Sequence, residues 1–498
     1  MDKPTIHMLS VQEKGGQTRK ATQYIAAVAA AIGAVIAGTI LAWTSPALPQ
    51  LQPYVPVNGT DATIPALARS AEDSNNTILI NSIGQPAEFL LDSNDSGTVS
   101  SILAIGALII ALPVGFLAEK IGRRPTILIL SIPFMLNWLL IIFANGAGML
   151  IAARVFAGLG TGGICVAAPM YIGEIAETSI RGSLGAFFQL FLTVGILFTF
   201  VVGAYTHWRT LSIISAVLPP LLVIVFWWMP ETPQYLLGKN RRHDAEKALR
   251  WLRGPDADIS AELEDMQKDI DNASRQQGGI LSIVKSRAPR KALICSLGLM
   301  FFQQFSGINA VIFYTNNIFQ SAGSNIDPAI ATIIVGVVQT LATYVSSLLI
   351  ERAGRRILLL QSCVIMGICL AILGVYFKLQ AGGVDVSFVG WVPLVCLVLF
   401  IISFSMGFGP IPWMMMAELF TGELRGAASG LSVVINWFLV FLVTMCFPLM
   451  KAAIGIHTCF WFFGCFMFLC IFFVFFLIPE TKGKTVTQIQ SILAGKRL

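Results

Sequence analysis

The chain has 498 residues, of which 55% are hydrophobic and only 12% charged. That leaves too little polar surface to cover a water-soluble globule, so the composition points to a protein that crosses a membrane many times. All nine Cys fall in apolar runs and the four His are scattered, so neither disulfides nor a metal site is expected.

A basic tail, 1–21, precedes the first apolar run and is read as leading into a retained helix, with no cleaved leader. Twelve runs are long enough to span a bilayer, which takes about 20 residues each. They lie at roughly 22–43, 98–118, 126–144, 149–170, 184–205, 210–229, 292–314, 328–350, 357–377, 389–413, 426–449 and 456–478. An even number returns the chain to its starting side. Basic loops stay cytoplasmic, and with both ends inside only Arg69, Arg209, Lys378 and Lys451 fall outside, while Arg154 lies within a span. The net charge of +6 is explained by this topology, and no nucleic-acid partner is expected. The one long outer loop, 44–97, holds the sequons Asn58, Asn75 and Asn94 and is predicted to be glycosylated; the sequon at Asn272 falls inside and stays bare.

A segment at 230–290, with Ala245, Leu249 and Leu252 spaced along one helical face, is predicted to form short helices that clamp two halves of the bundle, 22–229 and 291–478, from the cytoplasmic side. A solvated linker is the plainer alternative. A cytoplasmic tail, 479–498, follows. No nucleotide-binding loop is present, and the intramembrane polar groups are amides without a nucleophile and base together, so neither ATP-driven transport nor enzyme chemistry is indicated.

The halves repeat one another. Glu119-Lys120-Ile121-Gly122-Arg123-Arg124 returns as Glu351-Arg352-Ala353-Gly354-Arg355-Arg356. Glu174 with Arg181 returns as Glu418 with Arg425, and Pro230-Glu231-Thr232 returns as Pro479-Glu480-Thr481. A duplicated bundle of this kind binds its substrate near the bilayer midplane, between the halves, and exposes it to each side in turn.

These motifs, together with Arg154, Pro169-Met170-Tyr171, Gln303-Gln304-Phe305-Ser306-Gly307-Ile308-Asn309, Gly409-Pro410-Ile411-Pro412-Trp413 and Asn436-Trp437, make the chain resemble a sugar porter of the major facilitator superfamily over about residues 22–485. Within that family it most resembles animal facilitative glucose transporters and insect facilitated trehalose transporters. The resemblance implies an all-α membrane protein, the major facilitator fold, with two pseudo-symmetric six-helix halves and a cytoplasmic helical linker. It implies facilitative transport of trehalose or a glucose-type hexose at the plasma membrane, by a monomer whose only partners are the sugar and membrane lipid, with no cofactor. A proton-coupled symporter and a non-transporting sugar sensor with the same fold are the rivals.

A sugar offers hydroxyls that donate and accept, and a ring with an apolar face, so its site calls for amides and an aromatic plate. Gln303, Gln304 and Asn309 interrupt an apolar run, where bare amides would be costly against lipid. Local unwinding at Ser306-Gly307 would bring Gln304 and Asn309 together. By resemblance these residues contact the sugar with Gln189, Gln339 and Asn436, Gln339 replacing an Asn usual in glucose transporters; hydrogen bonding between helices is the alternative role. Pro410 and Pro412 predict a kink in the tenth span, either a gate carrying Trp413 to the sugar or a static bend, and Ser405 stands where many glucose transporters place a Glu. Proton-coupled relatives pair a first-span carboxylate with the Arg matching Arg154. Residues 21–51 contain no Asp or Glu and Thr44 takes that place, so transport without a proton is expected, with Arg154 bonding the Thr44 hydroxyl or backbone carbonyls. The resemblance also implies that Glu119, Arg123, Arg124, Glu174, Arg181 and Glu231, with Glu351, Arg355, Arg356, Glu418, Arg425 and Glu480, pair across the halves when the carrier opens outward and part when it opens inward.

Overall fold

The structure, a computed structural model, describes residues 20–53, 89–177, 179–255, 257–275, 287–323, 326–420, 422–484 and 486–495. Asn58 and Asn75 lie outside them, as do the side chains of Glu351 and Arg425. Twelve helices are long and apolar enough to cross a membrane: Lys20–Leu51, Asn94–Ala111, Arg123–Ile142, Ala147–Ile175, Arg181–Tyr205, Trp208–Phe226, Arg287–Ala322, Pro328–Ile350, Arg355–Ala381, Ser387–Met416, Ala428–Ile454 and Ile456–Leu477. They fall into two six-helix halves, as the sequence repeat requires. The face where the first span starts and the twelfth ends is called the terminal face below.

The first two spans depart from the sequence expectation, the first at Pro46 and the second at its Ser93 start and at Pro113. The first continues past Trp43 as Thr44–Leu51, because Pro46 has no N–H for the Ala42 carbonyl and the helix tilts without ending. The next helix starts at Ser93, capped by the Asp92 carboxylate, which accepts from Asp95 N. The outer loop is therefore shorter than the predicted 44–97, since both of its ends are helical. The second span stops at Ala111 and resumes as Pro113–Ile121.

The linker forms helices Pro233–Gly238, Arg242–Arg253 and Ser260–Arg275, packed around Leu236, Leu237, Ala245, Leu249, Ile259 and Leu263. Its anchors go to the first half. Arg253 is buried, pairs with Glu262 at 2.6 Å and donates to the Ile175 carbonyl at the end of the fourth span, and Thr22 Oγ1 donates to the Leu252 carbonyl at 2.8 Å. A different element serves the second half: helix Val486–Ala494 packs on the seventh and tenth spans, where Gln490 donates to the Leu419 carbonyl. Among the described residues, the clamp expected across both halves is thus divided between two elements, the linker held by the first half and helix Val486–Ala494 by the second.

Contacts between the halves run along the second and eleventh spans and the fifth and eighth. Hydrogen bonds across the boundary lie at mid-depth, where Thr340 Oγ1 donates to the Thr193 carbonyl at 3.3 Å, or toward the face opposite the termini. There Thr44 Oγ1 donates to the Phe313 carbonyl at 3.1 Å, Asn316 N to Ser45 Oγ at 3.3 Å, and Asn317 Nδ2 to Gln52 Oε1 at 2.8 Å. The molecule is closed at that face.

Candidate sugar site and gates

The seventh span breaks where the sequence predicts. Helix Arg287–Phe305 stops, Gly307 takes φ +81°, and helix Ile308–Ala322 begins. A side chain at Gly307 would need the strained left-handed conformation and would also strike the Phe463 ring at 2.8 Å. Ser306 caps both pieces: its Oγ donates to the Gln303 carbonyl at 2.6 Å and accepts from Ile308 N at 3.3 Å. Across the break Asn309 Nδ2 donates to Gln304 Oε1. That leaves Gln304 Nε2 and Asn309 Oδ1, one donor and one acceptor, as a matched set for a hydroxyl.

Gln303 has a different task. Its Nε2 donates to the carbonyls of Phe408 at 2.7 Å and Gly409 at 3.3 Å, while its Oε1 accepts from Asn436 Nδ2 at 3.1 Å. The tenth span is broken there into Val392–Met406 and Ile411–Leu419. Pro412 has no N–H to offer the Phe408 carbonyl one turn back, so the amide of Gln303 fills the vacancy. The predicted kink therefore exists, and its freed carbonyl is tied to the amide cluster. For Gln303 and Asn436 the helix-to-helix alternative is realised.

The remaining candidates sit between the halves. Gln339 on the eighth span is buried with Oε1 unpartnered, a cost that an arriving hydroxyl would remove. Gln189 on the fifth span is half-buried without a hydrogen bond among the described residues, and Trp413 is half-buried on the second piece of the tenth span. Ser405 is buried.

Arg154 is fully buried. It donates to the carbonyls of Ile40 at 2.8 Å and Val99 at 3.2 Å and lies 5.8 Å from the Trp43 ring centre. Of the two expected partners it takes the carbonyls; the Thr44 hydroxyl is engaged across the boundary instead. No carboxylate contacts it among the described residues.

At the terminal face the repeated motifs fold alike. Gly122 has φ +106°, and a Cβ there would lie 2.2 Å from Glu231 Oε2, so only glycine lets that carboxylate reach the backbone. Glu231 accepts from the N–H groups of Arg123, Arg124 and Thr232. In the second half Glu480 accepts from those of Arg355 and Arg356, each at 3.0 Å. Burial raises the Glu231 carboxyl above its ordinary range against these bonds; at Glu480 burial acts the same way, but the N–H groups of Lys482, Arg355, Arg356 and Thr481 outweigh it and hold the carboxyl low. Arg123 pairs with Glu174 at 2.8 Å and Arg355 with Glu418 at 3.0 Å. Both pairs lie within a half. The cross-half pairing expected from the resemblance belongs to the state open away from the termini, whereas this structure is closed there. Glu119 and Arg181 are exposed, Arg181 donating to the Ala176 carbonyl at 3.4 Å.

Sequence reasoning did not single out Gln52, Asn316 and Asn317 as gate residues. Two adjacent amides in the outer end of the same apolar run that yielded Asn309 were the available signal.

The comparisons agree with this geometry. A family profile described as "Sugar (and other) transporter" matches residues 60–493. The "Facilitated trehalose transporter Tret1" of Polypedilum vanderplanki is 40% identical over 477 residues, covering 95% of this chain and 88% of that one. The "Facilitated trehalose transporter Tret1-1" of Drosophila sechellia is equally identical over 95% of this chain but 52% of its own length, so the chain spans about half of several of the curated relatives it matches. Among solved structures, the inward-open, partially occluded xylose transporter XylE from E. coli superposes with a TM-score of 0.73 at 22% identity, covering 93% of this chain and 100% of that one. Two duplicated six-helix halves, a seventh span broken at Gly307, and a profile match over most of the length lead to one conclusion: the chain belongs to the sugar (and other) transporter family and has the major facilitator fold.

Proposed function

We propose that the protein is a facilitative carrier of trehalose or a glucose-type hexose, working by alternating access at the plasma membrane with both termini in the cytoplasm. The observation that carries this reading is the pairing of Asn309 with Gln304 across the break at Gly307, which leaves a donor and an acceptor for a sugar hydroxyl; Gln189, Gln339 and Trp413 complete the proposed site. Lacking a carboxylate partner among the described residues, Arg154 is bonded to backbone carbonyls and has no titratable switch for a proton, which supports uniport over symport. With the closed face outward, the structure corresponds to the inward-open state, and the terminal-face motifs form the inner gate. Asn94 is exposed at the start of the second span, a position suited to glycosylation, with Asn58 and Asn75 in the loop before it. The carrier is read as working as a monomer.

Radiolabelled trehalose and glucose uptake in oocytes expressing the chain, at two external pH values and beside Gln304→Ala, tests this. Saturable uptake that ignores pH and is lost in the variant is expected. Uptake of neither sugar by surface-expressed protein, or uptake only at acid pH, overturns it.

A further inference from the structure

We infer that the terminal face of the first half holds an anionic phospholipid, seated where the sixth span meets the linker. The sixth span ends in Trp227 and Trp228, whose exposures of 58% and 76% are large for indoles in a folded protein. Between them, the turn at Pro125 and helix Arg242–Arg253 lies a groove of about 660 Å³ whose lining includes Arg124, Trp227, Trp228, Arg241, Lys247 and Trp251. Indoles at the end of an apolar span sit at headgroup depth.

The groove sets the cations Arg124, Arg241 and Lys247 against the carboxylates Glu231 and Asp244, leaving one net positive charge. Glu231 is occupied by three backbone N–H groups, and Asp244 by Arg241 at 2.8 Å. Arg124 donates one Nη to the Trp227 carbonyl, lies 5.8 Å from that ring centre, and keeps its Nε buried without a partner. Lys247 meets no acidic partner among the described residues. One cation in excess beside three indoles suits a phosphate ester whose acyl chains run down the sixth span. A small soluble phosphate would have no use for the rings.

The repeat supplies an independent instance. Arg356 donates to the Phe475 carbonyl, lies 5.3 Å from that ring centre and also keeps its Nε buried and unpartnered. Its groove, about 280 Å³, adds Lys291 and Phe476, the latter 75% exposed. Two halves that differ in sequence both hold an arginine over the first of the two adjacent rings that end their sixth span. The first groove is larger because the linker roofs it with Lys247 and Trp251. This inference rests on the proposed orientation only in assigning the lipid to the cytoplasmic leaflet, where anionic lipids concentrate.

The test is lipid retention by the full chain in detergent, measured by native mass spectrometry with palmitoyl-oleoyl phosphatidylserine and phosphatidylcholine at equal mole fraction. Wild type is compared with Lys247→Gln and with Lys247→Gln/Trp228→Ala, folding being checked by thermal midpoint. Preferential retention of phosphatidylserine is expected, falling about fivefold in Lys247→Gln for the loss of one surface cation and further in the double variant. Glycerophosphoserine, the headgroup without chains, should not displace it. Equal retention of both lipids, unchanged retention in folded Lys247→Gln, or displacement by glycerophosphoserine would each overturn the inference. Because the readout is binding, failure of the transport reading would leave this result standing.

Discussion

Gln303→Leu is the most informative single change, because Gln303 is bound to the tenth-span break and Gln304 is not. The substitution puts an apolar side chain of similar size in place of the amide and removes the hydrogen bonds to the Phe408 and Gly409 carbonyls and the one from Asn436. Pro412 cannot supply a donor in its place, so a buried carbonyl is orphaned at a cost of about 1–3 kcal/mol, and Asn436 loses its acceptor as well. For a chain of this length that corresponds to a fall in thermal midpoint of about 1–3 °C. Gln304→Leu breaks only the contact with Asn309, which is half-buried, so it should lose sugar uptake with a midpoint shift of less than about 1 °C. Thermal unfolding of both variants in detergent, beside trehalose uptake at matched surface expression, makes the comparison. If both midpoints fell equally, or if Gln303→Leu transported normally at an unchanged midpoint, the claim that Gln303 ties the tenth-span break to the site would be wrong.

Asn317→Ala removes one hydrogen bond that exists only while the face opposite the termini is closed. It should raise the outward-open population about fivefold for roughly 1 kcal/mol, read as faster labelling of a cysteine placed in the outer cavity; an unchanged labelling rate counts against this latch. Glu418→Gln weakens the pair with Arg355 and should lower uptake while sugar binding persists, whereas unaltered uptake kinetics at equal surface expression would remove Glu418 from the gate. The two motif glutamates should respond oppositely to pH. The carboxyl of Glu480 is held low, so its stabilisation is present above the ordinary carboxylate range and fades as pH falls through its folded value; that of Glu231 is raised, so its ionised form is disfavoured in the fold and acid relieves the penalty. Thermal midpoints should therefore show Glu480→Gln more damaging than Glu231→Gln at pH 7, with the gap closing toward pH 4, and a gap that is reversed or independent of pH would refute the assignment.

The number of spans and the two-half plan were legible because each follows from local chemistry: twenty or so apolar residues span a bilayer wherever they occur, and a repeated motif reports duplication. The breaks at Gly307 and Gly407–Pro412 were legible for the same reason, since a missing N–H or a left-handed residue acts on its own turn. Gln304 and Asn309 could be paired from sequence because only five positions separate them. Gln303 could not be assigned to the Phe408 carbonyl, nor Gln52 to Asn317, because those contacts join spans far apart in the chain and depend on how the halves pack. Arg154 shows the boundary most clearly. The sequence determined that it has no carboxylate in the first span and must find other partners. Only the tertiary structure decided that those partners are the Ile40 and Val99 carbonyls while the Thr44 hydroxyl reaches across to Phe313. A side chain's chemistry is fixed by its identity, but its partner is fixed by which helix the fold brings within 3 Å.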